Sequence, residues 1–207
     1  MKLTTELSKL EEWTNHLPKI GMEILGNNGS PMYVLDLIMV GAIKRSLSLA
    51  NGVLSLVATK NMTCVRALVR MQLDTVSRLF AYTYVSSPSD VAKKVIGGKA
   101  LNKFKSRDGK ILSDRYLIDK LSKDYPWVKN VYQYTSGYIH FSERQVFDSI
   151  HSIPDETERT VLFQIRKEDD QFPEESWVEV VECFNEMLSI LGELLLTYRK
   201  ELNQVKV

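Results

Sequence analysis

Arg66, Arg70, Asp74 and Arg78 follow one another at four-residue spacing. In a helix that spacing stacks them in one file along one face. The segment that carries them is otherwise apolar on most sides, through Val65, Leu68, Val69, Leu73, Val76, Leu79 and Phe80. So apolar a helix belongs near the centre of a fold, and part of its polar file then faces an inner cleft. A shielded arginine needs a carboxylate, and Asp74 is the one on the file. The chemistry on offer is capture of an anion, a nucleotide or RNA phosphate, by Arg66 and Arg70. The bland alternative is a solvated helix edge held by i, i+4 pairs.

A second polar group lies on an aromatic stretch, Tyr134-Thr135-Ser136-Gly137-Tyr138-Ile139-His140. In a helix Ser136 and His140 are one turn apart, with Tyr134 beside them. Histidine is the side chain that exchanges protons near neutral pH, so His140 is the candidate acid–base or phosphate contact. Gly137 would let a backbone or a ligand come close. The competing reading of His140 is a structural histidine.

The combination "VRALVRMQLDTVSRLF" followed by "YTSGYIHFS" resembles a pattern in several bacterial all-α families, themselves distantly similar to the HEPN superfamily of nucleotide- and RNA-associated helical domains. The resemblance covers about Met62 to Ser142. It implies an all-α fold and a polar pocket involving Arg66, Arg70, Asp74 and His140. Ribonuclease members carry an arginine four to six residues before the histidine. This chain has Ser136 and Thr135 there, and Arg144 follows His140 instead.

A third feature is a split of charge. Between Val91 and Ser113 stand Lys93, Lys94, Lys99, Lys103, Lys105, Arg107 and Lys110 against Asp108 alone. Lys99, Lys103 and Lys105 are the candidate nucleic-acid contacts, since cations on a loop attract phosphate backbones. Phe104 is the one aromatic residue among them, so base stacking has little support. The stretch Asp155 to Glu179 holds nine acidic residues and three basic ones. Such patches pair head to tail in a homo-oligomer, or are two solvated surfaces.

Other chemistry finds little footing. Gly97-Gly98-Lys99 lacks the second half of a phosphate loop, because Ala100 follows the lysine. The histidines, His16, His140 and His151, are not spaced as metal ligands, and no calcium-loop motif occurs, so no metal and no cofactor are expected. Cys64 and Cys183 fall among apolar neighbours and are expected as small core residues.

Composition frames these groups. The chain has 207 residues, 44% hydrophobic and 26% charged, with a net charge of +1. That excludes a largely disordered chain and a protein strongly charged as a whole, and fits one globular domain. Asp36 and Lys44-Arg45 interrupt the most apolar region, Met32 to Ala58, so no membrane span is expected. The start of the chain lacks a signal-peptide pattern, and the cytoplasm is the expected location.

The elements that must position the candidate groups follow from apolar periodicity. A first helix runs from Thr4 to Ile24 with Leu7, Leu10, Trp13, Leu17 and Ile20 on one face, kinked or split at Pro18. A second runs from Pro31, a helix-start proline, to Thr59. The third, Met62 to Val85, carries the arginine file. Short helices cover Asp90 to Ile96, stopped by Gly97-Gly98, and a segment capped by Ser113. Trp127 to Phe141 is aromatic and helical. Residues 145–167 suggest a small β-hairpin insertion, in competition with a helix begun by the capping pair Ser142 and Gln145. The last helix has the strongest pattern: Trp177, Val181, Phe184, Leu188, Leu191, Leu195 and Tyr198 form one stripe. The expected fold is mainly α, a single-domain bundle of about four long helices with shorter ones and one hairpin. Three functions fit it: a protein that binds nucleotide or RNA phosphate, a metal-independent ribonuclease of toxin or phage-defence type using His140, and a non-catalytic scaffold.

Overall fold

The computed structural model describes residues 2–26, 30–152 and 161–205, and among them the fold is mainly α. Four long helices make the frame: α1 (Lys2–Leu25), α2 (Val34–Ala58), α3 (Met62–Phe80) and α8 (Glu174–Val205). Between them come α4 (Pro88–Ile96), α5 (Asp114–Leu121), α6 (Trp127–Ile139) and α7 (Glu143–Asp148). Two short strands, β1 (Ile150–Ser152) and β2 (Leu162–Phe163), pair antiparallel, with Ile150 opposite Phe163.

The bundle closes because each long helix has an apolar stripe. α1 packs on α2 and α8, α2 on α3, and α3 on α8. Leu10, Leu17, Val53, Val65, Leu73, Phe184, Leu188 and Leu191 meet in this core, all but fully buried. α3 also touches α5 and α6, which confirms its central place. A smaller apolar cluster, with Tyr82, Val85, Ala92, Leu101, Leu112 and Leu117, joins the end of α3 to α4 and α5. By length and composition α2 could cross a membrane, but Met39, Ile43, Leu49, Ala50, Val53 and Val57 are buried within the bundle.

Several boundaries differ from the sequence reading, each for a local reason. α1 runs through Pro18 as one helix, with the proline exposed while Leu17 and Ile20 stay buried. α2 begins three residues after Pro31, because the Asp36 carboxylate accepts from the Tyr33 backbone N–H at 2.7 Å and closes the first turn there. The last residues expected in α3 tighten into a 3₁₀ turn, Ala81–Tyr84. α4 starts at Pro88 rather than Asp90, and Gly98, at φ 93°, ends its last turn as expected. The rival readings after Phe141 both hold in part. Ser142 and Gln145 form the capping box of α7, and the strands follow directly. The turn between the strands lies outside the described residues. Leu162 and Phe163 are both exposed, so β2 has no buried face of its own.

Candidate functional site

The arginine file forms as its spacing predicts, yet its two ends differ. At the first end Arg66 is buried against α6 and α7. One terminal nitrogen donates to the Tyr138 hydroxyl at 2.8 Å and to the Asp148 carboxylate at 3.0 Å. The guanidinium lies over the rings of Tyr138, at 4.5 Å, and Phe172, at 4.6 Å. This is a cation boxed by π faces and one carboxylate, which offsets the cost of its burial. Burial pushes the Asp148 carboxyl above its usual range, and Arg66 pulls it back only partly. The same burial raises the Tyr138 hydroxyl, which therefore stays neutral. Next on the file Arg70 binds Asp74, as expected, and lies over the Tyr132 ring at 4.2 Å.

Beside Arg66 a cavity of about 120 Å³ opens between α3, α6 and α8. Arg66, Val69, Tyr134, Thr135, Glu179 and Cys183 are among its lining residues. Of the residues expected to form a pocket, this cavity brings together Arg66 and Tyr134 but not Arg70, Asp74, Ser136 or His140, and it is smaller than the ~300 Å³ at which small-molecule sites begin. Its one arginine is already paired, and a carboxylate, Glu179, shares its wall. The Cys183 thiol is pushed up to about 12 by burial and by Glu179, Glu186 and Glu182, so it stays unreactive at neutral pH.

Other predicted residues fall away from this cavity. Ser136 turns its hydroxyl onto the Tyr132 carbonyl at 2.6 Å. His140 is the exposed C-cap of α6; it does not line the cavity, and its carbonyl accepts from Gln145 at 3.4 Å. The close approach foreseen at Gly137 is made by the chain itself, since a Cβ there would stand 2.8 Å from Cδ of Arg144. Arg144 in turn lies over Tyr134, at 4.6 Å. Cys64, expected in the core, is exposed, because it sits in the first turn of α3 on the solvent side. Lys103 and Lys105 are exposed and line none of the larger clefts.

The second end of the file opens instead on a cleft of about 550 Å³ between α2, α3 and the segment after α4. Three cations from three elements reach it: Arg45, Arg78 and Lys99. Its floor is apolar, with Ile38, Ala42, Leu79, Val95 and Leu101. Arg45 is aimed by the bond its Nε donates to the Thr75 hydroxyl at 2.9 Å, which leaves its terminal nitrogens free of that bond. Arg78 shares a half-exposed ion pair with Asp114 at 3.2 Å. Lys99 lies over the Phe104 ring at 4.9 Å. One carboxylate lines the cleft, Asp74, and Arg70 engages it. Sequence reasoning named Lys99 and placed Arg78 on the file, but missed Arg45, whose only cue was its place in an apolar helix. Among the described residues no three His, Cys, Asp or Glu side chains cluster as metal ligands do. Comparison with protein-family models, curated proteins and solved structures finds no match.

Proposed function

We propose that this protein binds a phosphate-bearing ligand, a nucleotide or RNA, in the cleft between α2, α3 and the end of α4. The observation that carries the reading is the convergence of Arg45, Arg78 and Lys99 on one cleft whose only lining carboxylate is occupied by Arg70. Guanidinium groups suit phosphate because their planar donors match its oxygens, and an ammonium adds a mobile point charge. The volume, about 550 Å³, falls inside the range of small-molecule sites. The site is thus displaced along α3 from Arg66 and Arg70, whose charges the protein itself consumes.

The reading is one of binding rather than catalysis. His140 lines neither cavity, and its own helix carries no arginine. Titration calorimetry at low salt with ATP and with a ten-nucleotide RNA tests the proposal. At least one of the two binds, weakens as salt rises through screening, and is lost in the Arg45→Ala/Lys99→Ala double variant. Absence of binding by both, or equal affinity for the double variant, overturns it.

A further inference from the structure

The wall of the cleft has a gap in α2 that nothing in the protein fills. Gly41 lies within α2, a turn before Arg45, and lines the cleft. Glycine weakens a helix interior relative to alanine, so each one there calls for a reason. Of the four other glycines inside the described helices, three have one: a Cβ would meet Leu68 at 2.8 Å from Gly52, Arg144 at 2.8 Å from Gly137 and Trp13 at 2.9 Å from Gly192, while at Gly21 it would rest against Ile43 at 3.4 Å, an ordinary packing contact. At Gly41 a Cβ would meet no atom within 4 Å. Its backbone is helical, with no positive φ to excuse it. Packing and backbone geometry both leave the missing side chain unexplained.

We infer that Gly41 is kept bare by the ligand, a single nucleotide whose base lies against α2 at Gly41 while its phosphates reach Arg45, Arg78 and Lys99. This inference rests on the phosphate-binding reading of the cleft. Ile38, Ala42 and Arg45 share the face of α2 that lines the cleft with Gly41, so apolar surface and cation follow in order along one helix. A flat ring covers apolar surface best where no side chain stands up from the helix. The far wall repeats the order, with Leu79 beside Arg78 on α3 and Leu101 near Lys99. A lone phosphate leaves the apolar floor wet. A polymer gains little from this site, since Lys103 and Lys105 do not extend its cationic lining. One base plus its phosphates meets both halves of the cleft.

The test compares ATP, inorganic tripolyphosphate and a ten-nucleotide RNA on the wild type, on Gly41→Ala and on Gly41→Leu, by calorimetry with thermal melting alongside. Both substitutions are good helix formers in open space, so both melt at or above the wild-type temperature. Wild type binds ATP more tightly than tripolyphosphate or RNA. Gly41→Leu loses about tenfold or more in ATP affinity, the scale of a filled apolar subsite, with tripolyphosphate unchanged within about twofold. Gly41→Ala falls between. Equal wild-type affinity for ATP and tripolyphosphate, ATP binding by Gly41→Leu equal to wild type, or tighter binding of RNA overturns the inference while leaving the cleft a phosphate site. No binding of any probe by the wild type overturns both.

Discussion

Arg66 and Arg78 stand on one helix, in one file, three turns apart, and the fold treats them in opposite ways. Arg66 is 6% exposed, paired with Asp148, bonded to Tyr138 and covered by aromatic rings. Arg78 is half exposed at the mouth of a cleft it shares with Arg45 and Lys99. The first is a bolt that fastens α6 and α7 to the bundle. The second is a charge held out toward solvent. The difference lies in what other elements bring: α7 delivers a carboxylate into a buried aromatic box around Arg66, whereas Arg78 meets Asp114 of α5 in a half-exposed pair, with further cations from α2 and the segment after α4 beside it. A half-exposed arginine keeps donors for a ligand that a buried, boxed one has spent.

The largest expected effect concerns the core that both ends share. Leu188 is fully buried at the bundle centre. Leu188→Ala costs about 2–5 kcal/mol in urea unfolding, from lost transfer energy and the cavity left behind. A loss under about 0.5 kcal/mol would break the bundle assignment on which the comparison stands.

Next comes the bolt. Asp148→Ala leaves the Arg66 charge buried and unpaired, at a cost of about 2–3 kcal/mol, below a fully buried pair because Asp148 keeps some contact with water. Its ATP affinity stays at the wild-type value. A stability loss under about 0.5 kcal/mol, or loss of ATP binding, would erase the distinction between the two ends.

Protonation sharpens the same point. Burial raises the Asp148 carboxyl in the folded state, so the folded protein holds that proton more tightly than the unfolded chain. Linkage then makes this group's contribution largest at low pH, and it declines as pH rises from the unfolded value near 3.9 through the raised folded one. Asp148→Asn keeps an acceptor for Arg66 and has no proton to lose. Urea midpoints of wild type minus Asp148→Asn, followed upward from about pH 4, therefore fall with rising pH. A difference that rises instead would mean that Arg66 outweighs burial at this carboxylate.

Much of this comparison was legible in the residues, and the rest was hidden for identifiable reasons. The file, its pairing through Asp74 and the shielding of part of it follow from period and composition, which are local. The stripe of α8 followed in the same way, with Glu179, Glu182, Glu186 and Glu193 all exposed. The partner of Arg66 did not, because Asp148 is brought from 82 residues away by a short helix whose start competed with a strand pattern. Arg45 was hidden similarly, since nothing in the order of residues says that α2 and the end of α4 flank α3. Ser136 and Gly137 misled because their polar or small character serves α6 itself: one hydroxyl returns to its own helix, and one gap admits Arg144.

The smallest expected effect on stability lies at the open end. Arg45→Ala and Lys99→Ala remove half-solvated charges and change stability by about 0.5 kcal/mol or less. Urea unfolding of each variant checks this, and a loss above about 1 kcal/mol would mark these cations as structural, like Arg66.

The two ends can be told apart most directly by locating an anion. Crystals soaked in tungstate, an electron-dense phosphate mimic, would show its position by anomalous scattering. Density between Arg45, Arg78 and Lys99, with none at Arg66, is the predicted result. Density in the small cavity at Arg66, with the cleft empty, would contradict the account.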